Sequence, residues 1–136
     1  MATLRLEIVT PDAKAYSEDV DMVVVPGIEG ELGILPRHIP LMTAIKPGEL
    51  KVTHHGRDIY LAVGEGFVEV TQTSVTVLTD MAIEEKAIDV AAAEEAVRRA
   101  EAAMREEHLG AEEVAAVSAA LQKSLAQLHV KRRRHA

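Results

Sequence analysis

A chain of 136 residues, 48% hydrophobic but only 2% aromatic, suits one compact domain with an appendage or two small units. Its net charge of −7 and its lack of Trp argue against a base-stacking nucleic-acid surface, and the absence of Cys removes disulfides and thiolate metal sites. No apolar run approaches the ~20 residues that span a bilayer. The alternating Met1–Val9 start is unlike a signal peptide, so a soluble intracellular protein is expected, reaching any membrane only through partners.

Glycine and proline divide the chain. All 5 prolines lie at or before Pro47, and Gly110 is the one glycine beyond Gly66. The first part reads as short strands. Leu4, Leu6 and Ile8 alternate with polar residues, followed by Val20, Met22 and Val24 between Asp19 and Asp21. Leu50 and Val52 follow Gly48. His54-His55-Gly56-Arg57 reads as a hairpin turn that the two histidines are expected to decorate, although a strand would set them on opposite sides, and Ile59, Leu61 and Val63 lie on the return strand. Val68 and Val70, then Val75 and Val77, complete the series. Period-two spacing between turn residues predicts an N-terminal all-β antiparallel sandwich over residues 1–83.

From about Ala82 onward alanine and charge dominate, which predicts a C-terminal antiparallel two-helix hairpin over residues 84–136. The first helix is expected over about 89–107, capped by Asp89, with Ala93, Val97, Ala100 and Met104 on one face. Glu94–Arg98, Glu95–Arg99 and Glu101–Arg105 have the four-residue spacing worth ~0.2–0.5 kcal/mol per pair. His108-Leu109-Gly110 supplies the break, Gly110 suiting a left-handed cap or turn. The second helix is expected over about 111–130, with Val114, Val117, Leu121, Leu125 and Leu128 as its stripe. An alanine face buries little area, at ~0.8 kcal/mol per methylene, so this hairpin is expected to be able to leave its docking surface without unravelling.

The run Glu29-Gly30-Glu31-Leu32-Gly33-Ile34-Leu35-Pro36-Arg37-His38-Ile39-Pro40-Leu41 resembles the signature of ATP synthase epsilon subunits, with Arg37 where that family usually has glycine. Gly64-Glu65-Gly66-Phe67-Val68-Glu69-Val70 and Val75-Thr76-Val77-Leu78-Thr79-Asp80 resemble two further family segments, with Glu65 inserted in what is commonly a Gly-Gly pair. The resemblance spans essentially the whole chain and implies a non-catalytic rotor subunit. Its implied partners are the gamma subunit and the c-ring, and the alpha and beta catalytic subunits when the hairpin extends. It implies a peripheral place on the cytoplasmic face of the plasma membrane, coupling proton translocation to ATP synthesis and inhibiting hydrolysis through the hairpin. It also places Glu31 near the c-ring loops, and His38 and Thr43 against gamma.

The residues themselves offer little catalytic chemistry. The 6 histidines are scattered, no Gly-Lys-Ser/Thr follows a glycine loop, and no serine sits in a nucleophile motif. The family's nucleotide motif at the hairpin start reads Ile88-Asp89-Val90-Ala91-Ala92-Ala93 here, with Ala92 in place of arginine. Asp89, Arg98 and Arg99 remain as phosphate-site candidates, so no cofactor is expected and regulatory ATP only weakly or not at all. Lys131, Arg132, Arg133 and Arg134 form a basic end on an acidic chain. This is either a solvated tail that complements the helix dipole or, by the resemblance, a regulatory contact to an acidic loop of a catalytic subunit. A free-standing adaptor with an acidic partner, and an ATP sensor, are the other classes composition leaves open.

Overall fold

The computed structural model describes residues 2–106 and 109–134, Arg133 and Arg134 without their side chains. Ten strands come first: β1 (Leu4–Val9), β2 (Lys14–Val20), β3 (Met22–Gly27), β4 (Gly30–Ile34), β5 (Leu41–Ile45), β6 (Gly48–His54), β7 (Arg57–Val63), β8 (Gly66–Val70), β9 (Ser74–Thr79) and β10 (Ala82–Glu84). A 3-10 turn, Glu85–Ala87, leads into α1 (Val90–Met104) and α2 (Ala111–Arg134). The strands hydrogen-bond in the order β10-β7-β6-β3-β5-β8-β9-β1-β2, with β4 paired to β3. The pairings are antiparallel except β1 with β9, where the N-terminal strand runs alongside a strand far later in the chain (Leu6 opposite Val75).

The sandwich follows from alternation. Leu4, Leu6 and Ile8 are wholly buried, as are Val68, Val75 and Val77, while their neighbours face out. Burying a side chain of this size stabilises by ~1.5–3 kcal/mol. One expected phase is corrected: the inward set is Val20, Val23 and Val25, and Met22 and Val24 lie half-buried on the other face. The cause is a bend at Asp21, where the chain leaves its pairing with β1 and begins pairing with β4 and β6. The Asp21 N–H donates to the Thr53 carbonyl (2.8 Å) and its carboxylate accepts the His55 N–H (3.1 Å). A continuous period-two reading runs through such a bend with the wrong sign.

The turn after β6 holds the histidine pair as expected, with His55 exposed in it and His54 half-buried at the strand end. His55 sits at φ 51 and Gly56 at φ 75, so the strand alternation has ended before His55. The two rings meet edge to face with centroids 4.0 Å apart, and His54 Nδ1 lies 3.9 Å from the Glu18 carboxylate of β2.

α1 begins where its capping residue predicts: the Asp89 carboxylate accepts the Ala92 N–H at 3.0 Å. Gly110 takes no left-handed conformation; its carbonyl accepts the Val114 N–H (3.0 Å) and so opens α2 rather than closing α1. Glu107 and His108, placed by the sequence at the helix end and in the break, lie outside the described residues. α2 runs on to Arg134, four residues past its expected end, so the basic end is helix and not a loose tail. Its expected stripe is also corrected. Leu128 is buried as expected, but Val114 and Leu125 are 37% and 41% exposed, whereas Ser124, Ala126 and Val130, outside the stripe, are buried. The second half of α2 is covered on two sides, by α1 and by the sheet, and a single helical stripe cannot describe a helix with two partners.

Candidate interaction faces

The outer face of β5, β8 and β9 carries apolar residues where alternation calls for polar ones. Met42, Phe67 and Leu78 are 67%, 56% and 51% exposed. The register sets Ala44, Phe67 and Leu78 in one cross-strand row, with Met42 opposite Glu69 in the next. Ile28 lies beside this row, its N–H donating to the Ala44 carbonyl at 3.0 Å, and is itself exposed. Thr43, expected on an interface, lies half-buried on the core side of β5 with Leu41 and Ile45. The residues that face outward beside it were missed. Their signal was in the sequence: Phe67 and Leu78 stand out of phase with the buried Val68, Val70 and Val77.

The loop after β4 holds His38. Its Nδ1–H donates to the Ile39 carbonyl (2.7 Å) and its backbone N–H to the Leu35 carbonyl (3.2 Å), so the ring is tied to its own loop. Arg37, the departure from the family glycine, has φ 70, the left-handed conformation that glycine adopts without a Cβ clash. Its N–H donates to the Gln72 carbonyl (2.8 Å), which anchors the loop to the β8–β9 turn. Glu31 is exposed on β4 and borders a cleft of about 420 Å³ between α2 and the sheet, which Lys46, Lys51, Leu125 and His129 also line. No hydrogen bond or ion pair joins Glu31, His38 and Thr43 to one another.

The basic end is engaged within the chain. Lys131 Nζ lies 3.6 Å from the Glu85 carboxylate, and Arg132 lies 3.7 Å from Glu94 on α1. Glu94 therefore pairs across the hairpin instead of with Arg98. Arg98 (2.7 Å) and Arg99 (3.9 Å) converge on Glu95. The hydrogen bond and charge of Arg98 hold the Glu95 carboxyl below the usual carboxylate range. The side chains of Arg133 and Arg134 lie outside what is described. Asp89 is nine residues before Arg98, about 13 Å along a helix axis, and its carboxylate serves as the helix cap. α1 thus brings the two arginines together but sets them apart from the aspartate. Among the described residues, no group of three His, Asp or Glu side chains is arranged to hold a metal ion.

An all-β body with one unfinished outer face and a helical hairpin folded against it defines a two-part interaction module. Residues 3–85 match the beta-sandwich domain of the ATP synthase delta/epsilon chain, and residues 86–132 match its long alpha-helix domain. The chain belongs to this family, whose members are non-catalytic subunits of the synthase. An ATP synthase epsilon chain from Dehalococcoides mccartyi is 46% identical over 137 residues, covering 99% of this chain and 98% of that one. The epsilon chain of Laribacter hongkongensis is 40% identical over 141 residues, covering 99% and 100%. A chain of the Euglena gracilis mitochondrial ATP synthase, solved as its OSCP/F1/c-ring assembly, shares the fold. Its TM-score is 0.78 at 23% identity, over 95% of this chain and 81% of that one.

Proposed function

We propose that the chain is a central-stalk subunit of a proton-translocating F-type ATP synthase, with the outer face of β5, β8 and β9 seated on the gamma shaft and the Glu31 edge turned to the c-ring. The observation that carries this reading is the apolar row Ala44–Phe67–Leu78, with Phe67 and Leu78 exposed and the exposed Met42 and Ile28 beside it, on a body whose own core is already closed. Apolar side chains set side by side on an outer sheet face mark a protein partner. His38 and Thr43 flank this face and position it: His38 by fixing its loop, Thr43 by holding β5 to the core. The chain takes part in no covalent step; a packed footprint transmits torque.

The hairpin supplies regulation in this reading, inhibiting ATP hydrolysis when it leaves the sandwich and reaches the alpha and beta subunits. In the docked form Lys131 is engaged by Glu85, so it can meet an acidic surface only after release, whereas the Arg132–Glu94 pair lies within the hairpin and travels with it. ATP is bound weakly or not at all. Supporting this, Ala92 stands at the motif's arginine position, Asp89 caps α1, and Arg98 and Arg99 are held by Glu95. The protein is peripheral on the cytoplasmic face of the plasma membrane, and no helix among the described residues is long and apolar enough to cross a bilayer.

The test is reconstitution with the other synthase subunits. Phe67→Asp is expected to abolish co-purification with gamma while the isolated chain stays folded. Removing residues 86–136, none of which contributes to the sandwich core, is expected to raise hydrolysis by the assembled complex. Unchanged gamma binding by Phe67→Asp rejects the docking face. Unchanged hydrolysis after truncation rejects the inhibitory arm.

A further inference from the structure

On α2, Lys123, Gln127 and Lys131 recur every four residues and form one row along the helix. Each meets the stretch that runs from the end of β9 through β10 to the 3-10 turn before α1. Lys123 Nζ lies 3.5 Å from the Asp80 carboxylate, and Gln127 Nε2 donates to the Met81 sulfur at 3.2 Å. Lys131 Nζ donates to the Glu85 carbonyl at 3.2 Å and lies 3.6 Å from the Glu85 carboxylate. Beside the row lies a small apolar cluster: Val130 packs with Ala62 and Ile88, and the half-buried Tyr60, Met81 and Ile83 pack against them.

Asp80 reaches Lys123 because residue 64 is glycine. A Cβ at Gly64 would overlap the Asp80 carboxylate, lie 3.1 Å from its Cγ and 3.4 Å from Lys123 Cδ. The corner beneath is knotted. The Gly64 N–H donates to the Thr79 hydroxyl (3.1 Å) and the Met81 carbonyl (3.0 Å), and the Thr79 hydroxyl donates to the same carbonyl (3.2 Å). The two sequence segments Gly64-Glu65-Gly66 and Leu78-Thr79-Asp80 therefore converge on a place that α2 reads with its side chains.

We propose that the Lys123–Gln127–Lys131 row is the latch that sets how often the hairpin is docked, with Asp80 and Glu85 as its counter-charges and Gly64 as the residue that positions Asp80. The proposal deepens the releasable-arm reading above by naming the contacts that control release. Its groups are partly exposed, 34% and 43% for Lys123 and Asp80 and 22% and 23% for Lys131 and Glu85, so each pair is weak and screened by salt. Weak contacts spaced along one stiff helix part together when that helix lifts, which suits a reversible switch. A large apolar interface would hold the hairpin irrespective of charge; here α2 adds the side chain of Val130 to a small apolar cluster, and the polar row contributes the other named contacts.

The chain has no cysteine, so introduced cysteines are unique labelling sites. Spin labels at Thr73→Cys on the sandwich and Ala120→Cys on α2, both exposed positions, report the distance between the two parts in the full chain. Asp80→Asn with Glu85→Gln is expected to add a longer-distance population, raising the released-to-docked ratio about two- to fivefold per carboxylate removed. About 1 M salt is expected to do the same to the native chain and less to the variant. The exchanged pair Asp80→Lys with Lys123→Asp is expected to restore the native distribution, and Gly64→Ala to mimic Asp80→Asn. Coincident distributions for native and Asp80→Asn/Glu85→Gln chains at both salt levels overturn the latch, as does failure of the exchanged pair to restore docking. The measurement needs no other subunit, so its failure and that of the assembly test are separate results.

Discussion

The sandwich and the hairpin are held together by different physics. The sandwich closes on Leu, Ile and Val side chains that are almost wholly buried, drawn from strands as far apart in sequence as β1 and β9. The hairpin meets that body through Val130 and the Lys123–Gln127–Lys131 row, and the residues its helices bury are mostly small, Ala93 and Ala100 on α1 and Ser124, Ala126, Leu128 and Val130 on α2. Area removed from water decides rigidity: a branched aliphatic side chain contributes ~1.5–3 kcal/mol, an alanine methyl well under half of that. A body built the first way keeps one shape. An arm attached the second way keeps its own helices through local hydrogen bonds and caps, yet its attachment is of the order that charge and salt can change.

Substitutions on the two sides separate these regimes. Leu6→Ala, in the centre of the sandwich core, is expected to cost about 2–5 kcal/mol of unfolding free energy, read as a shift of the denaturation midpoint. Val130→Ala removes the main apolar contact of the arm and is expected to cost about 1–2 kcal/mol of docking. Hydrogen exchange should show it as lost protection in α1 and α2 with β1, β8 and β9 unchanged. Equal loss in those strands would mean that the two parts form one cooperative unit, and the contrast would fail. The smallest effect sharpens the comparison from the sandwich side. Arg37→Gly relieves a left-handed residue at φ 70 and is expected to raise stability by about 0.5–1 kcal/mol, the greater entropy of unfolded glycine offsetting part of the gain. Hairpin docking, measured between labels, should not move.

Much of this was legible in the sequence, and what escaped did so for physical reasons. Leu4, Leu6 and Ile8 announced a strand because alternation is local, and Asp89 announced a helix start because its hydrogen bond reaches only to Ala92. Met22 and Val24 fall on the other face from Val20 because the bend at Asp21 is fixed by Thr53 and His55, more than thirty residues away. The apolar face was present as Phe67 and Leu78, out of phase with their neighbours, but only the pairing register shows them as one row with Ala44.

The basic end marks the same boundary. Its composition was plain, yet whether Lys131 hangs in solvent or is paired depends on where Glu85 lies, and sequence distance says nothing about that. The sequence by itself determined the two-part architecture, most of the strands, both helices and the family, because hydrogen bonds of the backbone and burial periods act between near neighbours. Tertiary structure alone decided which charges meet, how Gly64 makes room for Asp80, and which apolar residues are left facing out, because those outcomes depend on through-space distances between segments far apart in the chain.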